Sequence, residues 1–256
     1  MHNPDNVDKI LHSAISRGCL FSNSRNQILR FTNNCLTLKI KEMKKKTVFG
    51  LILDKSGSMY DIKDEMLLSI NQRIKTIKKL SAKSDGEVIV ELVVFNHKIN
   101  RIYDFEPAGK LKKLKKKEYE VNGTTALYDA LGHMLERIDL KYGEEIAKGK
   151  CNAMVIVYTD GLENASRHFN IDNIKKQMSR ANETKGFEVT MVGCDEETLM
   201  SAQTMNFNRK NVVRTSKLNL SRSMASLDPI LHAISISHPI DFKSSFSKLD
   251  LDKEKD

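Results

Sequence analysis

Three short segments of the sequence carry oxygen-bearing side chains in patterns that suit a metal ion. Residues 54–58 (DKSGS) place a carboxylate and two hydroxyls at alternate positions of a turn. Residues 122–127 (NGTTAL) offer further hydroxyls, and residues 159–161 (TDG) offer a second carboxylate. Hard cations such as Mg²⁺ prefer oxygen ligands in a near-octahedral array. These side-chain types therefore predict a site for a divalent cation.

The segments follow or precede the elements of a predicted α/β sheet. Residues 47–53, 88–95, 153–158 and 187–193 are nearly all apolar, which is typical of central strands covered on both faces. Residues 211–214 predict a short edge strand. Ligands bind at the carboxyl ends of the strands in open α/β sheets. We therefore expect the carboxylates that follow the first and third apolar strands to lie on the same rim of the sheet.

Amphipathic segments between the strands predict crossover helices, and hence a doubly wound, mostly parallel sheet flanked by helices. Apolar residues recur every three or four positions in two long segments: Met66, Ile70, Ile74 and Ile77, then Leu127, Leu131, Met134 and Ile138. Residues 61–82 are predicted to form the first helix, and further helices are predicted at residues 170–185, 195–205 and 221–235. The predicted domain spans residues 47–238, and residues 239–256 are a charged C-terminal tail.

The net charge of +9 is concentrated at the N-terminus. Residues 1–46 contain nine Lys and Arg against three Asp and Glu, a balance of +6, so the rest of the chain carries only +3. This basic extension has no sustained apolar period, and two interpretations stay open. It is either an appendage of the domain, or it precedes the true translation start, because Met43 and three lysines stand directly before the first strand.

Cysteine usage and hydropathy favour a soluble, cytoplasmic protein with no membrane partner. The four cysteines, Cys19, Cys35, Cys151 and Cys194, form no CxxC pair. Buried free thiols in a reducing compartment are the simpler interpretation. No apolar run approaches the roughly 20 residues that a membrane helix needs, and the N-terminus lacks the continuous apolar stretch of a secretion signal.

The combined motif resembles the metal-ion-dependent adhesion site (MIDAS) of the von Willebrand factor A family. That site is written DxSxS, then a Thr in a loop before a helix, then an Asp that closes a later strand. The contexts LILDKSGSM, NGTTALYDAL and VIVYTDGLENAS are similar to the intracellular bacterial branch. The resemblance covers roughly residues 47–235 and implies a Rossmann-like fold. It implies the metal ligands Asp54, Ser56, Ser58, Thr125 and Asp160.

The same resemblance implies how the ion would be held and what it would bind. In the family the serines contact the metal directly, the Thr directly or through water, and the two Asp mostly through water, which leaves one position for an outside oxygen. Either Thr124 or Thr125 could face the ion, and the family spacing relative to Leu127 favours Thr125. We expect Mg²⁺, with Mn²⁺ or Ca²⁺ as alternatives. The implied ligand is a Glu or Asp of a partner protein.

The predicted function is therefore Mg²⁺-dependent protein–protein interaction, without enzymatic activity. Relatives often serve ring-shaped ATPases, so an ATPase or another subunit of a complex is a candidate partner. Enzyme motifs are missing from the sequence: there is no HExxH, GxSxG or GxxxxGK[ST], and Ser56 stands where an aspartyl-phosphate phosphatase would have its second Asp. The alternative is a nucleic-acid-associated protein that uses the lysine-rich residues 110–117. No aromatic residue interleaves those lysines, which favours a solvated helix face or loop.

Overall fold

The computed structural model of the protein describes residues 21–22, 28–29, 45–193 and 196–214. The chain divides into two compact units, Met1–Lys44 and Lys45–Asp256. The described residues of the first unit form an antiparallel pair, β1 (Phe21–Ser22) and β2 (Ile28–Leu29). The translation start considered at Met43, the helix predicted at residues 221–235 and the tail at residues 239–256 lie outside the described residues.

The second unit is built on a six-stranded, mostly parallel sheet. Its strands are β3 (Lys46–Asp54), β4 (Glu87–Phe95), β5 (Ile99–Pro107), β6 (Cys151–Tyr158), β7 (Phe187–Gly193) and β8 (Val212–Arg214). Their order is β5-β4-β3-β6-β7-β8, and every neighbouring pair is parallel except β4 and β5. The direction of strand addition reverses at β3 and β6. Ligands bind at the carboxyl end of such a switch point.

Helices cover both faces of this sheet. They are α1 (Lys63–Lys83), α2 (Leu127–Ala147), α3 (Ile171–Glu183) and α4 (Glu196–Thr204). Successive residues of a strand point to opposite faces, and β3 shows the result: Leu51 packs in the cluster that contains α1, whereas Ile52 packs in the cluster that contains α2. The predicted doubly wound, mostly parallel α/β fold is confirmed.

The largest difference from the sequence prediction is β5, which the apolar pattern missed. β5 is an antiparallel edge strand that follows β4 through a tight turn, in which the backbone N–H of Asn96 donates to Lys98 O at 3.0 Å. Only Tyr103 and Phe105 of this strand are buried, and they pack on opposite faces of the sheet, Tyr103 in the cluster that contains α1 and Phe105 in the cluster that contains α2. An edge strand of this kind has no continuous apolar run for a sequence pattern to detect.

A buried carboxylate in the middle of β4 is explained by its partners. Glu91 is fully buried, and its Oε1 accepts hydrogen bonds from Arg101 Nε at 3.0 Å and from Arg137 Nε at 2.8 Å. A buried charge is tolerated when it is paired and hydrogen-bonded. Arg101 lies on β5 and Arg137 on α2, so the two hydrogen bonds to Glu91 connect β4 to both of these elements.

The lysine-rich residues 110–117 form a loop with two short 3₁₀ turns, Ala108–Lys110 and Lys116–Glu118. The lysines are exposed, whereas Leu111 and Leu114 are buried against the core. Asn71 of α1 holds the loop by accepting from the Leu114 N–H at 2.8 Å and donating to Leu114 O at 3.1 Å. Among the described residues, no helix is long and apolar enough to cross a membrane.

Candidate metal centre

The first part of the site is the turn that follows β3. Asp54 is the last residue of the strand and is fully buried. Its Oδ1 accepts a hydrogen bond from the backbone N–H of Ser56 at 2.7 Å, which fixes the carboxylate against its own turn. The Oγ atoms of Ser56 and Ser58 lie 3.1 Å apart. Both hydroxyls of the DxSxS pattern therefore point to the same side of the turn.

The end of β6 brings the second carboxylate to this turn. β3 and β6 are neighbours in register, with Leu53 opposite Tyr158, so the residues after them meet at the rim. Thr159 Oγ1 donates to Asp54 Oδ2 at 2.6 Å. Ser58 Oγ donates to Asp160 Oδ1 at 2.7 Å. Parallel pairing thus places two distant acidic residues in one hydrogen-bonded group.

The loop before α2 supplies a third hydroxyl and is fastened to the DxSxS turn. The Gly57 N–H donates to Gly123 O at 2.9 Å, and the Asn122 N–H donates to Lys55 O at 2.9 Å. The Thr125 N–H donates to Asn164 Oδ1 at 2.8 Å. Thr125 is only 3% exposed, whereas the side chain of Thr124 is exposed. The fold therefore turns Thr125 inward and Thr124 outward.

Three oxygen atoms, from the DxSxS turn and from the loop before α2, converge on one point beside Gly161. A Cβ atom built on Gly161 would lie 3.1 Å from Thr125 Oγ1, 3.2 Å from Ser58 Oγ and 3.6 Å from Asp54 Oδ2. Convergence of oxygen donors is what a hard divalent cation requires. Any side chain at position 161 would fill the space, so glycine is the residue that leaves this point open.

The electrostatics of the site also favour a cation. Burial, together with a smaller effect of the nearby charge of Asp160, raises the pKa of Asp54 to about 6, although the hydrogen bonds from Thr159 and Ser56 lower it. Two carboxylates thus lie together where negative charge is poorly solvated. A divalent cation would supply the compensating charge. In residues 45–193 and 196–214, no group of three or more His, Cys, Asp and Glu could hold a metal, so the hydroxyls would have to contribute.

Tyr119 holds the backbone of Asp54 in place. The sequence analysis did not predict this residue. Its hydroxyl donates to Asp54 O at 2.7 Å. Burial raises the pKa of Tyr119 above its usual range, so the hydroxyl stays protonated and remains a donor. Tyr119 follows the lysine-rich loop without any motif of its own, and no sequence signal would have found it. Thr159 was quoted with Asp160, but its hydrogen bond to Asp54 was not predicted.

Two more carboxylates hold the segment that follows Asp160. Glu163 accepts from the backbone N–H groups of Tyr128, Ala165 and Ser166 at 2.7–2.9 Å. Asp129, in the first turn of α2, accepts from the N–H groups of Arg167, His168 and Phe169 at 2.8–2.9 Å. Burial alone would raise the pKa of Asp129, but these three bonds together hold it below its usual range. The segment is thereby fixed to the Thr125 loop and to α2.

Asp129→Asn should destabilise the protein by about 1–3 kcal/mol, because one acceptor is replaced by a donor that faces a backbone N–H. The lowered pKa in the folded state means that the contribution of Asp129 is present above the unfolded pKa and is lost as pH falls through the folded value. Urea unfolding should therefore show a difference between wild type and variant at neutral pH that shrinks in acid. Glu136→Gln, at an exposed position of the same helix, is the control and should change stability by less than about 0.5 kcal/mol.

Family comparison agrees with this geometry. The model of the von Willebrand factor type A domain matches residues 50–225, which is more than half of the chain. The chain belongs to the von Willebrand factor type A family. None of the curated proteins matches it in sequence. The comparisons do not distinguish branches of the family, so the resemblance to intracellular bacterial members remains a prediction.

Solved structures of low sequence identity share the fold of this type A domain. The pilus-tip protein Mfa5 domain of Porphyromonas gingivalis is 11% identical with a TM-score of 0.55, covering 77% of this chain and 98% of that one. The PilB minor pilin of Streptococcus sanguinis is 12% identical with a TM-score of 0.53, covering 75% and 62%. A mussel byssus matrix protein with a zinc-occupied MIDAS motif is 16% identical with a TM-score of 0.51, covering 75% and 48%.

Several relatives are longer than this chain, which spans only 43–47% of the first matched structures. At this identity the structures establish the fold alone. Type A domains as a family mediate protein–protein interactions, and their MIDAS sites bind divalent metal.

Proposed function

We propose that this type A domain is a Mg²⁺-dependent protein-interaction module that binds a carboxylate of a partner protein. The proposed metal ligands are Asp54, Ser56, Ser58, Thr125 and Asp160. The convergence of Thr125 Oγ1, Ser58 Oγ and Asp54 Oδ2 on the open point beside Gly161 is the observation that carries this proposal. Mn²⁺ and Ca²⁺ are the alternative ions.

The chemistry of the ligand set supports an anionic partner group. When bound, a divalent cation supplies positive charge and a coordination position for an outside oxygen. The hydroxyls nearest to the convergence point are neutral, and Asp54 is already engaged by the Ser56 N–H and by Thr159 Oγ1. Neutral oxygens nearest to the ion would leave it more electrophilic than directly bound carboxylates would, which favours a Glu or Asp from another protein.

The arrangement supports binding and not catalysis. Ser58 Oγ, the only serine hydroxyl of the DxSxS turn that is exposed, donates to Asp160, and its neighbour on the other side is the hydroxyl of Ser56. A serine nucleophile normally depends on a general base that is itself oriented by a third group.

We propose an adaptor or subunit role, with an ATPase or another member of a cytoplasmic complex as the partner.

Mg²⁺ should raise the free energy of unfolding of the purified protein, because a ligand that binds only the folded state stabilises it by mass action. At a hundredfold excess over Kd the expected gain is about 2.7 kcal/mol. Thermal unfolding with Mg²⁺ and with EDTA measures it, and K⁺ at matched ionic strength is the control. Equal unfolding curves in Mg²⁺ and EDTA would contradict the proposal.

Partner capture tests the proposal that the metal binds a carboxylate of a partner protein. Affinity purification from the native host should yield proteins that are lost on EDTA treatment and that depend little on salt. Phosphate binding, by contrast, falls steeply with salt. Captured material that resists EDTA, elutes with moderate salt and is removed by nuclease would favour the nucleic-acid alternative through residues 110–117.

A further inference from the structure

A cleft of about 1030 Å³ opens directly beside the proposed metal centre. Its walls come from the turn between β4 and β5, the loop before α2, the first turns of α2, and residues 164–168. Thr124 and Ala126, the two neighbours of Thr125, both line it. The Thr125 loop therefore contributes both to the cleft, through Thr124 and Ala126, and to the convergence point, through Thr125.

Five of the twelve residues that line this cleft have basic side chains. They are His97, Lys98, His133, Arg167 and His168, and we call this lining the basic cleft. Lys98 and Arg167 are exposed, and among the described residues no hydrogen bond or ion pair involves their side chains. Positive potential in a concave site attracts anions and raises their local concentration.

The one carboxylate among the lining residues, Asp129, offsets only part of this charge, and its oxygens are turned to the backbone. Asp129 is only 6% exposed, and both of its oxygens already accept backbone N–H groups. An anion that enters the cleft therefore meets the donors of Lys98 and Arg167 before it meets a free carboxylate. The side chains of His133 and Asn164, which also line the cleft, carry N–H groups that can donate hydrogen bonds as well.

The walls of the basic cleft are held in place before any partner arrives. Asn164 exchanges two hydrogen bonds with Thr125, through its Oδ1 at 2.8 Å and its N–H at 3.0 Å. Asp129 fixes the backbone of residues 167–169. The turn that carries Lys98 is closed by the Lys98 N–H, which donates to Asn96 Oδ1 at 2.9 Å. A preformed site avoids the entropy cost of ordering loops on binding.

We propose that the basic cleft binds an acidic segment of the same partner whose carboxylate reaches the metal centre. This inference rests on the proposed function, since it extends the same binding surface. The basic groups lie on separate elements, and the cleft is much larger than a single anion requires, which fits an extended chain with acidic side chains spaced along it. In an extended strand, alternate residues on one side are about 7 Å apart.

The test uses the peptide Glu-Ser-Glu-Ser-Glu, labelled with fluorescein at its N-terminus and amidated at its C-terminus. Gln-Ser-Glu-Ser-Gln, labelled in the same way, is the counterpart with one carboxylate side chain. In Mg²⁺, wild type should bind the peptide with three carboxylate side chains more tightly by fluorescence anisotropy. Lys98→Gln with Arg167→Gln should weaken that binding about fivefold or more and abolish the preference between the peptides. The Mg²⁺ affinity of this double variant, measured by calorimetry, should stay at the wild-type value.

A matched control separates local recognition from net charge. Lys112→Gln with Lys113→Gln removes the same charge from exposed positions outside the cleft and should change peptide binding less than twofold. The acidic-segment proposal would be overturned if both double variants lost the same peptide affinity, or if the Lys98→Gln, Arg167→Gln variant lost none. It would also be overturned if wild type did not bind the peptide, or if inorganic phosphate competed as well as the unlabelled peptide does. If peptide binding depended on Lys98 and Arg167 but was unchanged by EDTA, the result would support the basic cleft and contradict the proposed metal function.

Discussion

Replacing Thr125 by Ala should weaken Mg²⁺ binding by about tenfold or more, whereas Thr124→Ala should leave it unchanged. The Oγ1 of Thr125 would lie 3.1 Å from a Cβ built on Gly161, at the point where the site oxygens converge. The side chain of Thr124 is exposed and lines the neighbouring cleft. Even residues that only support a metal ligand typically contribute ten- to a hundredfold in affinity. Calorimetric titration of both variants with Mg²⁺ measures the difference.

The adjacent threonines make this comparison well controlled, because each variant removes the same atoms one position apart. Neither change touches the backbone hydrogen bond from the Thr125 N–H to Asn164, so the loop should keep its conformation. Urea unfolding in EDTA checks that the two variants have similar stability. Wild-type Mg²⁺ affinity in Thr125→Ala would remove Thr125 from the ligand set, and loss of affinity only in Thr124→Ala would assign the hydroxyl to the other residue.

Gly161→Ala should abolish Mg²⁺ binding and partner capture without removing a single candidate ligand. The added methyl would lie within 3.6 Å of Thr125 Oγ1, Ser58 Oγ and Asp54 Oδ2, and so would occupy the space that the ion needs. Two of these approaches are 3.1 and 3.2 Å, tighter than ordinary van der Waals contact, so the neighbouring hydroxyls would also have to shift. The variant should remain folded in EDTA, with stability within about 1 kcal/mol of wild type.

Gly109→Ala is the matched control for this experiment. A Cβ at position 109 would meet nothing within 4 Å, and the residue lies in the exposed 3₁₀ turn before the lysine-rich loop. Mg²⁺ affinity should therefore be unchanged in that variant. If Gly161→Ala bound Mg²⁺ as tightly as wild type while remaining folded, the ion would have to lie elsewhere, and the proposed centre would lose its main support.

Most of the fold could be predicted from the sequence, because central strands and crossover helices obey local rules. The apolar runs of β3, β4, β6 and β7 indicate strands buried on both faces, and each is observed within two residues of its predicted bounds. The first long helix begins at Lys63, two residues later than predicted, because a 3₁₀ turn, Gly57–Ile62, carries the chain out of the DxSxS turn. β5 escaped detection because this edge strand buries only Tyr103 and Phe105 and so has no continuous apolar run.

The sequence by itself determined which oxygen-bearing residues follow the parallel strands, and hence that Asp54 and Asp160 should share one rim. Only the tertiary structure decided which hydroxyls face inward. Thr125 and Thr124 are identical in type and adjacent, and the hydrogen bonds to Asn164, thirty-nine residues away, select between them. The support from Tyr119 and the clustering of Lys98 with Arg167 likewise join positions remote in sequence. Local patterns specify elements and their ends, whereas side-chain neighbours across the rim depend on how those elements pack.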